Sequence, residues 1–482
     1  MTTTARHATR QRAASDILMQ VVVRIVNLGM GVVVTALVVR TLGKAGYGQW
    51  STAFVVLGLI AYFANFGMEE VALREAARDP EQELQWIGTV MMLRLFALAP
   101  VMLASLTAIV LLHQSHEMLI AGLILVVAMP FGGVGALGLI FQLRVDNRVP
   151  MLVLTLRSIL WGIAVVIIYE NHSGMVALAI ALVSTNLVGS LVQALAALKL
   201  TGRWPRPSRK YLPQLVRIGL PVGISGALII SYATIDQVIV FTIQGSKAAG
   251  LYGSVYNVLN QSHFVPISIL TTLSPVMAAS WPADRARLLR TARQTAELLA
   301  VASFGALAFA TVAAVPFIRL IFGQEFVPAA PALPVLGAAF VLICFGYLNG
   351  NLLLVLGLQR RLLHIGLVAL VVNVVGNLIL VPLVGFMGAA VMTLLTEAVV
   401  FYMALRLVLR TLELPRPKLG RIGRTALAAL LLAAGLGALR LVGAPLAVLI
   451  AASCLCYPSL LFGLRALALE DVLVVFRRGA PA

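Results

Sequence analysis

Apolar stretches long enough to cross a lipid bilayer follow one another along almost the whole chain. The hydrocarbon core of a bilayer is about 30 Å thick, so a helix needs about 20 apolar residues to span it. In lipid the backbone must satisfy its own hydrogen bonds, which favours helices. The sequence therefore predicts an all-α polytopic membrane protein with about fourteen transmembrane helices. These lie near 17–39, 49–68, 85–111, 118–142, 150–169, 174–199, 214–243, 248–277, 295–320, 331–357, 362–382, 385–409, 425–441 and 444–466.

The composition agrees with this interpretation. Hydrophobic residues make up 61% of the 482 residues and charged residues only 11%, whereas soluble domains carry about 25% charged residues. No connection between the apolar stretches is long enough to hold a separate soluble domain. Residues 1–16 are basic and run directly into the first stretch, so we expect an uncleaved first helix rather than a signal peptide.

The net charge of +18 comes from 36 Lys and Arg against 18 Asp and Glu. If the N-terminus is cytoplasmic, most basic residues fall in segments on the cytoplasmic side, where short loops concentrate positive charge. The opposite side holds only Arg40, Lys44, Lys247, Arg319 and Arg440. The charge thus predicts a multi-pass protein with both termini in the cytoplasm. It argues against nucleic-acid binding, because nucleic-acid modules gather their basic residues on one soluble face.

Motifs for metal or cofactor chemistry are missing from the sequence. Cys344, Cys454 and Cys456 lie in apolar stretches without the spacing of a zinc site, and no phosphate-binding loop occurs. We therefore expect no metal, no cofactor and no enzymatic activity.

Two sequence matches relate the halves of the chain. The order Gly, Lys-Ala, Gly, Tyr-Gly in 43–48 recurs with small insertions in 245–253. Gly174 aligns with Gly385 at the same offset that aligns 185–186 with 396–397. Either match alone is weak, since Gly-Tyr-Gly turns can recur by chance. Together they predict two six-helix lobes in parallel repeat, as in many transporters.

The repeat divides the chain into five segments. A cytoplasmic N-terminal segment covers 1–16, and the N-lobe of six spans covers 17–199. The linker 200–213 is basic and rich in proline, which is typical of a boundary. The C-lobe of six spans covers 214–410, and a two-helix extension covers 411–482.

Several segments together resemble a known transporter family. They are Val39–Gly43 with Tyr47-Gly48, Phe66-Gly67 with Leu73–Ala77, Asp236 with 250–253, and 373–377 with 381–390. These segments resemble the polysaccharide exporters and O-antigen-type flippases of the multidrug/oligosaccharidyl-lipid/polysaccharide exporter superfamily over about residues 15–410. The resemblance implies twelve core helices in two lobes. It also implies that lipid-linked oligosaccharides move between leaflets by alternating access.

Basic residues inside spans are candidates to bind an anionic substrate, because burying such a charge costs about 2.5 kcal/mol or more. By the resemblance, spans 1 and 7 border the central cavity. Arg24, with Asn27 on nearly the same face, would then hold a pyrophosphate headgroup. Snorkelling of Arg24 to the inner surface is the alternative. Arg94 and Arg157 are further candidates for the headgroup or for pairing with buried acids.

Two acidic residues are candidates for ion coupling. Asp236 lies in span 7 and Glu397 in the middle of span 12, where the repeat counterpart is the neutral Asn186. Either carboxylate would bind a coupling proton or sodium ion. The alternatives are a structural ion pair for Asp236 and a buried hydrogen bond for Glu397.

Polar residues elsewhere are candidates to bind sugar hydroxyls. They are Asn65 and Glu69 in span 2 and Asn257, Asn260 and Gln261 in span 8. The resemblance places both helices at the cavity, while hydrogen bonds between helices are the alternative.

Pro221 and Gly223 predict a hinge in span 7, because proline removes a backbone hydrogen bond and kinks a helix. A passive proline is the alternative.

The leading function is export of a polyprenyl-pyrophosphate-linked oligosaccharide across the bacterial cytoplasmic (inner) membrane for cell-surface polysaccharide assembly. The expected partners are this lipid-linked oligosaccharide, membrane lipids, and a polysaccharide polymerase or glycosyltransferases. A multidrug/cation antiporter of the same superfamily is one alternative. A membrane glycosyltransferase or polymerase is the other, although the outer loops carry few carboxylates and no large outer loop exists to house an active site.

Overall fold

The computed structural model describes residues 3–65, 67–144, 148–414 and 420–467. Within these ranges, the side chains of 3–28, 63–65, 131–134, 222 and 225 are excluded from the description. All the regular secondary structure in the described part is helical, in agreement with the sequence. The α-helices are α1 (Thr3–Asn65), α2 (Met68–Arg78), α3 (Glu83–Leu112), α4 (His116–Val127), α5 (Met129–Gly132), α6 (Gly138–Leu143), α7 (Arg148–Glu170), α8 (Met175–Thr201), α9 (Leu212–Ser262), α10 (Phe264–Ser280), α11 (Arg285–Phe322), α12 (Ala332–Val355), α13 (Gln359–Val384), α14 (Phe386–Thr411), α15 (Gly420–Leu441) and α16 (Leu446–Gly463). Short 3-10 helices cover Pro80–Gln82, Gly133–Leu137, Arg209–Tyr211 and Gln324–Ala329.

Eleven described helical segments are long and apolar enough to cross a membrane. Two of them, Gly29–Tyr62 and Gly226–Ser280, each overlap two of the predicted spans. The prediction of one helix over 118–142 is wrong, because α4 ends at Val127 and three short helical pieces follow. Pro130 and the neighbouring Gly132-Gly133 explain the break, since proline lacks a backbone N–H and glycine disfavours helix.

The connections predicted after the first and seventh spans are reduced to single glycines, each at a kink where two helices meet. Gly43 in α1 has φ 62° and ψ −175°, and Gly245 in α9 has φ 81° and ψ −179°. This region of backbone conformation is open essentially to glycine alone. A glycine at each position therefore lets one helix end and the next begin without a loop.

By its internal contacts the chain divides into two compact units. The N-unit contains residues 22–250, and the C-unit contains 251–482 together with the first 21 residues. In the N-unit, α2, α3 and α6 share one buried apolar core that includes Met68, Ile87 and Phe141.

Two glycine-containing segments of the N-unit, 43–48 and 245–250, pack closely against each other. A Cβ on Gly48 would lie 1.9 Å from the Ser246 carbonyl oxygen, and a Cβ on Gly250 would lie 1.9 Å from that of Lys44. The contact is reciprocal, so that Gly48 and Gly250 occupy equivalent positions, as do Lys44 and Ser246. Both pairs have the same sequence offset as Gly43 and Gly245. These paired positions share one constant offset, without insertions, whereas the alignment predicted from the sequence includes small insertions; the repeat itself stays a prediction.

In the C-unit, the last two helices pack against α11. Leu432, Leu436 and Leu449 of α15 and α16 join Ala308 and Ala313 of α11 in one buried cluster. Glu297 of α11 pairs with Arg293 at 3.0 Å and with Arg421 of α15 at 3.2 Å. The two-helix extension thus has its own apolar and ionic contacts with the C-unit.

Candidate functional site

A cavity of about 860 Å³ lies within the N-unit, inside the range of about 300–1,000 Å³ that is typical of ligand sites. Its walls come from the second half of α1, from α3, from the segment 125–135, from α7 and α8, and from the linker after α8. Most of the lining is apolar, including Phe54, Leu57, Met91, Met92 and Leu98. An apolar wall of this kind suits a ligand that is largely hydrocarbon or has apolar faces.

A few polar side chains interrupt the apolar wall. They are Arg94 on α3, Arg157 on α7, and Asn186, Ser190 and Gln193 on α8. No Asp or Glu occurs among the described residues that line the cavity. Two guanidinium groups without an acidic neighbour in the wall make the cavity attractive to an anion.

Arg94 is partly neutralised from outside the wall. Its Nη2 lies 2.8 Å from Oε1 of Glu69 on α2, and the two side chains are 16% and 27% exposed. This ion pair explains how the structure tolerates both charges in an apolar region. It also gives Glu69 a role other than the predicted contact with sugar hydroxyls.

Arg157 has a neutral partner. Its guanidinium donates a hydrogen bond to the side-chain oxygen of Asn186 on the neighbouring helix α8. Gly189 makes room for this arrangement, because a Cβ there would lie 2.3 Å from Cδ of Arg157. Among the described residues, no carboxylate forms a salt bridge with Arg157, so its full positive charge faces the cavity.

Three predicted residues have side chains outside the described part of the structure. Arg24 and Asn27 lie on the first half of α1, and Asn65 lies at its end. Their roles stay predictions.

Asn257, Asn260 and Gln261 lie near the end of α9, in the C-unit. Asn260 is exposed, and none of the three lines the N-unit cavity. Their contact with sugar stays a prediction.

The two predicted ion-coupling residues have different environments. Asp236 is 1% exposed, and its Oδ1 accepts a hydrogen bond of 2.8 Å from the backbone N–H of Gln237. Gln237 in turn donates to Ser51 Oγ at 3.1 Å and to the Ala249 carbonyl at 3.0 Å. Asp236 therefore belongs to a buried polar network of the N-unit and does not line the cavity.

Glu397 lies half-buried on α14 of the C-unit. Its carboxylate is close enough to the Tyr347 hydroxyl for an electrostatic interaction. The Tyr347 ring meets the ring of His263 edge-on, with centroids 5.9 Å apart. Nε2 of His263 is buried and has no hydrogen-bond partner among the described atoms. Three titratable groups thus gather in the C-unit.

Helix α9 continues through Pro221 and Gly223, and its non-helical residue is Gly245. Both predicted hinge residues lie inside the helix, so the hinge stays a prediction.

Comparisons with known proteins show the family of the chain. The model of the polysaccharide biosynthesis protein family matches residues 13–281. The chain belongs to this family. The resemblance of the sequence motifs to polysaccharide exporters is thereby confirmed. A sequence search of curated proteins gave no significant match.

Solved structures share the fold at low sequence identity. An inward-facing MATE family multidrug resistance transporter of the MOP superfamily is 19% identical, with a TM-score of 0.69 over 81% of this chain and 98% of that one. The lipid II flippase MurJ, in an inward closed conformation, is 13% identical, with a TM-score of 0.72 over 92% and 98%. A MOP superfamily transporter from Pyrococcus furiosus, described as having a binding pocket of reverse polarity, is 18% identical. Its TM-score is 0.60 over 84% of this chain and 97% of that one.

In this member of the polysaccharide biosynthesis protein family, sequence reasoning missed part of the cavity wall. Asn186, Ser190 and Gln193 recur at i, i+4 and i+7 in an otherwise apolar helix, a spacing that puts them on one face. That pattern was available in the sequence. Trp204 was not predictable in this way, because it lies in a linker with no helical periodicity.

Proposed function

We propose that this protein exports a lipid-linked oligosaccharide with a pyrophosphate headgroup by alternating access across the bacterial cytoplasmic membrane. The observation that carries the proposal is the charge of the N-unit cavity, where Arg94 and Arg157 line an otherwise apolar wall that has no described carboxylate. Guanidinium groups bind phosphate oxygens through paired, charge-assisted hydrogen bonds.

The same charge argues against a drug/cation antiporter, the second candidate supported by the fold of the MATE transporter. A cationic drug in this cavity would meet Arg157, Arg94 with its charge partly neutralised by Glu69, and no described acid in the wall. Like charges in a low-dielectric site are strongly unfavourable. An anionic lipid headgroup fits both the charge and the apolar wall.

The proposal includes the predicted topology. Fourteen spans, with six in each of the lobes 17–199 and 214–410, would place both termini in the cytoplasm. The matching glycine conformations at Gly43 and Gly245 support a repeat. A polysaccharide polymerase or glycosyltransferases would act beside the protein, before or after export.

Ion coupling is part of the proposal and is assigned to the C-unit. Glu397, with Tyr347 and His263 nearby, offers groups that can exchange protons. Asp236 stays the second candidate, and its burial and hydrogen bond make a structural role equally compatible with its surroundings.

The proposal is tested by reconstituting the full-length protein in proteoliposomes with a fluorescent polyprenyl-pyrophosphate oligosaccharide. Movement between leaflets is followed by protection of the sugar from an added lectin. We expect wild type to move the lipid and Arg157→Gln to move it at least tenfold more slowly, because a hydrogen bond to a charged group contributes about 1.5–3 kcal/mol.

Lys199→Gln is the matched control, since Lys199 is an exposed cation on α8 that does not line the cavity. This variant should transport like wild type. Export of a cationic dye by a protein that leaves the glycolipid in place would favour the antiporter and overturn the proposal.

A further inference from the structure

The linker after α8 is held firmly against α3. The hydroxyl oxygen of Thr89 accepts a 3.0 Å hydrogen bond from the backbone N–H of Ser208 and donates at 2.6 Å to the Gln85 carbonyl. Trp86 stacks on Tyr211 with ring centroids 4.1 Å apart, and both side chains are buried. We name the segment 204–211 the strap.

The strap lies directly on the backbone of α3. A Cβ on Gly88 would come within 2.5 Å of the Arg206 carbonyl carbon, so only glycine allows this approach. Pro205 of the strap is buried. Hydrogen bonds, ring stacking and close backbone contact together fix the position of the strap on α3.

This position makes the strap one wall of the cavity. Trp204, Pro205 and Pro207 all line it. Trp204 stays 48% exposed although its neighbour Pro205 is buried. Keeping a large apolar ring half-exposed beside an internal cavity leaves its surface available to a ligand.

We propose that Trp204 binds the sugar portion of the substrate. This proposal rests on the proposed function. The indole ring would pack against the apolar C–H face of a sugar ring, and its N–H can donate to a hydroxyl. Arg94 and Arg157 would hold the pyrophosphate at the same time. Trp204, Arg94 and Arg157 all line this one cavity, so a single ligand can contact the indole ring and the guanidinium groups.

Two lipids are used to test the sugar contact and the phosphate contact separately. One is a polyprenyl pyrophosphate that bears a disaccharide, and the other is the same polyprenyl pyrophosphate without sugar. Binding of each to the purified full-length protein in lipid nanodiscs is measured by thermophoresis. Trp204→Ala should weaken binding of the sugar-bearing lipid about three- to tenfold, as expected for an aromatic contact, and leave binding of the sugar-free lipid unchanged.

Trp204→Phe should show a smaller loss, because it keeps an aromatic face and lacks the N–H donor. Phe96→Ala is the matched control, since Phe96 is an aromatic residue of α3 that is 73% exposed and lies outside the cavity lining. This control should bind both lipids like wild type.

Thr89 is a positioning residue for Trp204. Thr89→Val removes the hydroxyl that holds Ser208 and should weaken only binding of the sugar-bearing lipid. Thr89→Ser keeps the hydroxyl and should restore binding. A merely structural role for Thr89 would lower the affinity for both lipids together.

The outcomes distinguish the two proposals. Equal affinity of wild type and Trp204→Ala for the sugar-bearing lipid would overturn the role of Trp204, as would an equal loss for both lipids. If wild type binds neither lipid, the proposed function itself fails.

Discussion

Two helix pairs that the predicted repeat aligns with each other carry opposite charges. In the N-unit, Arg157 of α7 donates a hydrogen bond to Asn186 of α8. The offset that aligns Asn186 with Glu397 aligns Arg157 with Val368. In the C-unit the acid therefore lies on α14, and the position on α13 that corresponds to Arg157 is apolar. One pair offers a cation to the cavity, and the other offers a group that can release a proton.

We propose from this difference that the two halves serve different steps. Here the glycine turns are alike, with Gly43 and Gly245 in the same conformation, while the intramembrane charges differ. We infer that the repeat preserves the helix geometry and that the substitutions divide substrate binding from ion coupling.

Reversing the charge of Arg157, in the N-unit helix pair, should have the largest effect on lipid binding. Arg157→Glu places an acid in a wall that has no other described carboxylate and repels the pyrophosphate. We expect binding of the sugar-free polyprenyl pyrophosphate to fall about 100-fold or more, since charge-assisted hydrogen bonds contribute about 1.5–3 kcal/mol before repulsion is added. Lys199→Glu provides the control. Unchanged binding in Arg157→Glu would remove Arg157 from the site.

Copying the C-unit acid into the N-unit should have the next largest effect. Asn186→Glu gives Arg157 an ionic partner in place of the amide that now accepts its hydrogen bond. The guanidinium is then neutralised, and binding of the same lipid should fall about tenfold. Asn186→Gln keeps a neutral amide and should lose less than threefold. Equal losses in the two variants would show that shape, and not charge, matters at this position.

Removing the carboxylate of Glu397 in the C-unit should change the coupling of transport to an ion gradient and leave the affinity for the lipid almost unaltered. In Glu397→Gln, transport should stop responding to an imposed proton or sodium gradient, while binding of the lipid changes less than twofold. The measurement is transport in proteoliposomes with and without each gradient. A large loss of affinity in Glu397→Gln would contradict the division between the units.

Much of the fold was predictable because spans depend on local composition. Helix α3, Glu83–Leu112, and helix α12, Ala332–Val355, closely follow the apolar stretches expected at 85–111 and 331–357. The glycine junctions were not predicted, because a single residue at positive φ leaves no polar loop in the sequence. The break after Val127 was signalled by Pro130 and two glycines, although the apolar character of the segment masked it.

The candidate site likewise contains residues that could be predicted from the sequence and a residue that could not. Arg94 and Arg157 were predicted because a charge in an apolar helix is costly, and the structure brings both to one cavity. Trp204 was missed because its position depends on Thr89 and Gly88, which lie more than a hundred residues earlier in the chain. Long-range packing of a linker leaves no periodic signal, whereas the cost of a buried charge is visible at its own position.

The smallest expected effect concerns how Arg157 is positioned against Asn186 in the N-unit. Gly189→Ala adds a methyl group that would lie 2.3 Å from Cδ of Arg157, so the flexible arginine must move. The hydrogen bond to Asn186 is then weakened while every charge is kept. We expect binding of the sugar-free polyprenyl pyrophosphate to fall about three- to tenfold, in the range of one ordinary hydrogen bond of about 0.5–1.5 kcal/mol.

Gly435→Ala is the matched control, because a Cβ at that position on α15 meets no neighbour within 4 Å. Both variants should unfold at similar temperatures, since the arginine side chain can rotate away from the new methyl group at little cost. If Gly189→Ala binds the lipid like wild type, the exact placement of Arg157 against α8 is unimportant. The difference between the two helix pairs would then rest on charge alone.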